Sequence, residues 1–196
     1  MSSRRESEPV LTFHATGDAG PQPTCEEGAG AVALSPSERL VDPELRLQHA
    51  LDVAYRYLGR RDRTVREVRQ HLELKRVEPT TIDEAVADLA RAGYLDDARY
   101  AVRFAEDRRS LDFWGAERIE RKLQAVGVAA EHVRAALALY GAADEREAAV
   151  MVLRRRYPTP PASPRERERA LGLLVRKGYA PEVAYAAIRA HEAEGT

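Results

Sequence analysis

From Leu45 onward the apolar residues recur every three or four positions, so that Leu47, Ala50, Leu51, Ala54, Tyr55 and Leu58 fall on one face of a helix. Gly59 and the basic turn Arg60-Arg61-Asp62-Arg63 mark its end. Thr64 and Glu67 then have capping-box spacing, in which the hydroxyl serves the amide three residues on and the carboxylate reaches back. This predicts a second helix with the stripe Val65, Val68 and Leu72. Thr81 and Glu84 repeat the spacing and predict a third helix with the stripe Ile82, Val86 and Leu89, closed by Gly93 as a left-handed cap.

Shifting the chain by 51 residues lays this unit over the residues C-terminal to it. Leu72 falls on Leu123 and then Leu174, Val86 on Leu137 and then Ile188, Ala50 on Ala101, Val68 on Ile119, and Gly127 on Gly178. These are positions where a three-helix unit needs an apolar side chain or a chain reversal. The fold class predicted is therefore all-α, with three tandem three-helix, helix-turn-helix-like repeats over residues 45–95, 96–146 and 147–196. Units of about 50 residues are small for independent stability, so neighbours are expected to pack end to end in an elongated, curved array. The run Tyr157-Pro-Thr-Pro-Pro-Ala-Ser-Pro164 cannot continue a helix and predicts a loop between the first two helices of the third unit.

Composition supports helices. Hydrophobic residues make up 44% and charged residues 32%, with three Phe and one Trp, a mixture dominated by helix formers. Residues 1–44 read differently: Gly, Pro, Ser and acids without periodicity predict a disordered tail with three basic and eight acidic side chains. The remainder carries 28 basic against 24 acidic groups, a mild excess that permits contact with a nucleic-acid backbone or an acidic protein without requiring either. No run of about 18 apolar residues and no secretory pattern occurs, which points to a cytoplasmic protein and no membrane partner.

Candidate chemistry is sparse. The five histidines, His14, His49, His71, His132 and His191, are scattered singly, and Cys25 has no second thiol for a disulfide or a metal site. No catalytic, cofactor-binding or metal-ligating pattern is found, so the chain reads as a non-enzyme without a cofactor. Asp96-Asp97 precedes an apolar run and fits a helix cap better than a metal pair, and Glu26-Glu27 fits a solvated tail. Trp114 either covers the core or anchors an interface. Basic residues cluster at Arg60 to Arg69, Arg103 to Arg109, Arg118 to Lys122 and Arg154 to Arg156, interleaved with acids as on solvated helices.

Gly93-Tyr-Leu-Asp-Asp97, then Tyr100-Ala101, Phe104, Arg108, Gly115, Arg118-Ile119, Leu123 and Gly127-Val128, resembles the central repeat of the RecX family. Arg61-Asp-Arg-Thr64, Glu67 and Leu72 resemble the family's first repeat, and the likeness covers residues 50 to 140 best. It implies a regulator that binds the RecA recombinase filament and modulates, usually inhibits, its ATPase and strand exchange in homologous recombination, DNA repair and the SOS response. It also allows direct contact with single- or double-stranded DNA, and the free protein is expected to be monomeric. Arg61, Arg63, Arg66, Arg108, Arg118 and Arg121, beside the inter-helix turns, are the candidate partner contacts. The competing readings are a tandem helical DNA-binding protein that acts without RecA, identified by salt-sensitive binding to bare duplex, and a helical scaffold for another protein.

Overall fold

In the computed structural model, which describes residues 42–194, Asp42 accepts a hydrogen bond from the Glu44 amide (3.0 Å) and Pro43 opens the first helix. The first unit consists of α1 (Pro43–Leu58), α2 (Val65–Leu74) and α3 (Pro79–Arg91). The second holds α4 (Asp97–Asp112), α5 (Ala116–Ala125) and α6 (Ala130–Ala138), and the third α7 (Ala142–Arg156), α8 (Pro164–Lys177) and α9 (Pro181–Glu194). Every regular element among the described residues is a helix. The tail expected over residues 1–44, with His14, Cys25 and Glu26-Glu27, lies outside the described residues except at its last positions, where α1 has already begun. The first helix of the third unit starts at Ala142, inside the range 96–146 expected for the second unit.

Local signals explain most helix ends. Thr64 and Glu67 form the predicted capping box, with the Glu67 amide 3.2 Å from the Thr64 hydroxyl and the Thr64 amide 3.1 Å from the Glu67 carboxylate. The second predicted box does not form. Pro79, with its preset φ and no amide to satisfy, starts α3 two residues before Thr81, which is buried in the first turn instead of capping it. Gly93, Gly127 and Gly178 all have positive φ and close α3, α5 and α8.

Within each unit the first and third helices pack together and the second crosses them, around a core of its own. The repeat is visible in the small residues: Ala50 and Ala54 in the first unit and Ala101 and Ala105 in the second are fully buried, which lets the helices approach closely. In the third unit Ala149 and Leu153 hold these places, 48 residues on, whereas Leu174 lies 51 beyond Leu123. The Pro-rich segment thus carries a three-residue insertion. It is a loop as predicted, but its last proline, Pro164, opens α8, where Ser163 and Glu166 form a capping box. Buried His191 ties α9 to the loop, its Nε2 2.8 Å from the Tyr157 carbonyl. The core of the second unit comprises only seven buried residues, too few to sustain a fold alone, so its neighbours must contribute.

Candidate partner-contact surface

The joints between units place the candidate arginines. At the first joint the buried Thr64 hydroxyl donates to the Val126 carbonyl (2.6 Å), and Asp97, the first residue of α4, accepts from the Val65 amide at the start of α2 (3.0 Å). At the second, the Gly115 amide donates to the Lys177 carbonyl (2.9 Å), and Glu145 of α7 accepts from the Ala116 amide at the start of α5 (2.8 Å). Val65 and Ala116 are related by the 51-residue repeat, as are Val126 and Lys177, and Asp97 and Glu145 by the 48-residue offset that holds before the insertion. In both joints, then, each unit caps the second helix of the unit before it. A carboxylate there satisfies an otherwise orphaned amide and faces the positive end of the helix dipole.

Of the two aspartates read as caps, Asp96 caps its own helix through the Arg99 amide (2.8 Å) and Asp97 caps its neighbour's. Burial at the joint pushes the Asp97 carboxyl above its ordinary value, partly opposed by the Val65 amide. The second joint has further bonds. Lys177 Nζ donates to the Asp112 carbonyl (2.7 Å), and the buried Tyr179 hydroxyl donates to that of Phe113 (3.2 Å), so the last carbonyls of α4 are satisfied from the third unit. Burial, and then the negative charge of Glu145, pushes the Tyr179 phenol up to about 12.

Four of the six candidate arginines are engaged in holding the fold. Arg63 pairs with Glu67 (3.4 Å) and lies over the Tyr57 ring (4.1 Å). Arg66 packs against Gly127, where a Cβ would come within 2.6 Å of its own. Arg108 pairs with Asp112 and covers Phe104 and Trp114. Arg118 lies 4.1 Å over the Trp114 ring and donates to the Arg176 carbonyl (3.2 Å). Trp114 packs on the second core, the first of the two roles considered for it, and its ring carries Arg118 at the joint. Arg61 pairs with Glu67 (2.7 Å) but stays half exposed, and Arg121 is exposed with no hydrogen bond or ion pair among the described residues.

Among the six, Arg61 and Arg63 share Glu67, and Arg108 and Arg118 share Trp114. Other clustered cations are also spoken for, Arg69 by Asp83, Arg103 by Asp62 (2.8 Å), Arg109 by the Tyr140 ring (4.2 Å) and Arg154 by Glu194. No group of three or more His, Cys, Asp or Glu side chains among the described residues could hold a metal ion, and no helix there is long and apolar enough to cross a membrane.

Residues 50–89 match the model of the first three-helix domain of RecX and residues 96–137 that of the second. The chain is 35% identical over 130 residues to Regulatory protein RecX of Trichlorobacter lovleyi, covering 64% of this chain and 84% of that protein. It is 30% identical over 138 residues to Regulatory protein RecX of Leuconostoc citreum, which covers 69% of this chain but only 52% of the relative, so the chain spans about half of that protein's length. The crystal structure of RecX from Lactobacillus salivarius superposes with a TM-score of 0.69 at 20% identity, over 76% of this chain and 97% of that one, a likeness of fold.

Proposed function

This chain belongs to the RecX family, and from that footing we propose that it binds the RecA nucleoprotein filament and lowers its ATP hydrolysis and strand exchange, acting as a cytoplasmic monomer in recombination and the DNA-damage response. Family membership of the first two units is the observation that carries this reading. The joints add a physical reason: equivalent hydrogen bonds fix each unit against the next, so a surface that spans more than one unit meets a partner without first having to be ordered. Binding needs no chemistry from this chain; it needs only to occupy surface that RecA protomers or incoming DNA would use. Arg61 and Arg121 are the candidate contacts left most available by the fold, while Arg63, Arg66, Arg108 and Arg118 would contribute through the surface they hold in place.

The test is the single-strand-dependent ATPase of RecA titrated with this protein, alongside binding to DNA without RecA at two salt concentrations. Inhibition well below one molecule per RecA protomer supports a filament-directed regulator. An unaffected ATPase with salt-sensitive binding to bare duplex would overturn it in favour of a DNA-binding protein that acts alone.

A further inference from the structure

Both joints are made between unlike faces. The start of a second helix, at Val65 or Ala116, meets the turn that ends the second helix of the next unit, at Gly127 or Gly178. Such heterologous contacts do not close on themselves, so a chain that kept the two faces at its ends could add copies of itself without limit. The outer faces of the first and third units meet no further unit among the described residues. Each departs from the inner pattern at the atoms a joint uses.

At the amino-terminal face, α1 carries Arg46 where α4 and α7 present Asp97 and Glu145 to the preceding helix, and Arg46 pairs with Glu78 of its own unit. A cation there would face the positive end of an approaching helix. In place of Gly127 and Gly178, α2 is followed by Arg76, with the same left-handed backbone (φ 59). A Cβ at Gly127 would lie 2.6 Å from that of Arg66, and one at Gly178 would lie 2.5 Å from the Arg118 amide. The Arg76 side chain therefore stands where a preceding helix would seat. Complementing the helix dipole explains a cation near this turn but not the strain, which glycine would avoid. Arg76 is exposed, and its side chain has no hydrogen bond or ion pair among the described residues.

The carboxyl-terminal face lacks the matching donor. The first residues of α2 and α5, Val65 and Ala116, give their amides to the neighbouring unit, whereas the first residue of α8 is Pro164, which has none. Proline is common at this position, as α1 and α3 also show. What sets Pro164 apart is that its two counterparts donate outward. We propose that Arg46 and Arg76 at one end and Pro164 at the other are stops, which keep a second copy of this chain from joining the array through the faces its own units use. Charge, shape and hydrogen bonding are each reversed at one of the three. The inference rests on the chain being a monomer, as proposed above, and is independent of RecA.

The experiment is sedimentation velocity on the full chain and on variants shown by circular dichroism to be folded. Arg46→Glu with Arg76→Gly opens one end and Pro164→Ala the other, so each chain alone should sediment as a monomer. Their equimolar mixture should form a heterodimer of twice the mass, and the triple variant should form longer species as its concentration rises. A monomeric parent with a monomeric mixture overturns the stops alone, whereas association of the parent overturns the monomer reading and the stops with it. Thermal melts test Arg76 without requiring association. Gly127→Arg drives a side chain into a closed joint and should lower the melting temperature by at least about 6 °C, while Arg76→Gly, the reverse exchange at an open face, should leave it within about 2 °C. A Gly127→Arg chain that melts with the parent shows that joints accept the side chain and overturns the role of Arg76. An equal loss in Arg76→Gly overturns it as well, because Arg76 would then hold its own unit together.

Discussion

Gly115 and Gly178 meet across the joint of the second and third units so closely that neither has room for a side chain. A Cβ on Gly115 would press on the Gly178 carbonyl and lie 2.5 Å from the Tyr179 amide, and one on Gly178 would lie 2.5 Å from the Arg118 amide. Gly178 also has φ +91. Gly93 has φ +76 but open space around it. Gly93→Ala should therefore cost only the left-handed conformation, about 1 kcal/mol, while Gly178→Ala should cost more than about 3 kcal/mol because backbone must move as well. Urea unfolding of the two variants measures the difference; equal losses would show that the contact is not tight.

Asp97 has a pKa above the ordinary 3.8 because burial penalises its charge. The folded state then holds the proton more tightly than the unfolded chain. Its contribution is fully present below the unfolded value and is lost as pH rises through the folded one. Asp97→Asn keeps an acceptor for the Val65 amide without the charge, so its stability relative to the parent should improve as pH rises from the unfolded carboxyl's range through the higher folded one. Asp97→Ala removes the acceptor and should lose about 1 kcal/mol. Denaturant melts across that pH range decide both; a flat difference for Asp97→Asn refutes the raised value.

Tyr179 carries the corresponding signature at the other joint. With its phenol pushed up to about 12, the folded chain keeps a proton that the unfolded chain releases near 10, so the stability it provides is complete below about pH 10 and falls away above it. In a spectrophotometric titration the tyrosine that ionises at the highest pH should vanish in Tyr179→Phe. The same change strands the Phe113 carbonyl and should cost about 1 kcal/mol at neutral pH.

Arg118 and Arg121 separate architecture from contact. Arg118→Glu removes the guanidinium from Trp114 and from the Arg176 carbonyl, so it should lower the melting temperature together with any effect on RecA. Arg121→Glu touches no internal partner among the described residues and should leave the melt unchanged while weakening inhibition of the RecA ATPase. An Arg121→Glu protein that inhibits fully takes Arg121 out of the contact surface.

Periodicity and glycine spacing made the three units legible, because a buried Leu72 leaves a trace every 51 residues, at Leu123 and Leu174, and Gly127 and Gly178 mark turns made at positive φ. Spacing misled at Thr81, where Pro79 supplied a stronger start signal two residues earlier. The joints left no local signature. Nothing around Glu145 announces a cap for a helix 29 residues back, and nothing around Arg118 announces that the third unit uses it.

Because each joint is completed by the later of its two units, synthesis of the chain imposes an order on its maturation. When Thr64 has left the ribosome, the carbonyl that receives its hydroxyl proton, on Val126, has still to be made. Elongation at about 5–20 residues per second separates the two by about 3–12 seconds. During that interval α2 has its own capping box but neither its neighbour's carboxylate nor the contact at Gly127, and the second unit then waits in turn for Glu145 and Gly178. The first unit is thus made well before it has every bond, a lag in which a nascent-chain chaperone would find it open.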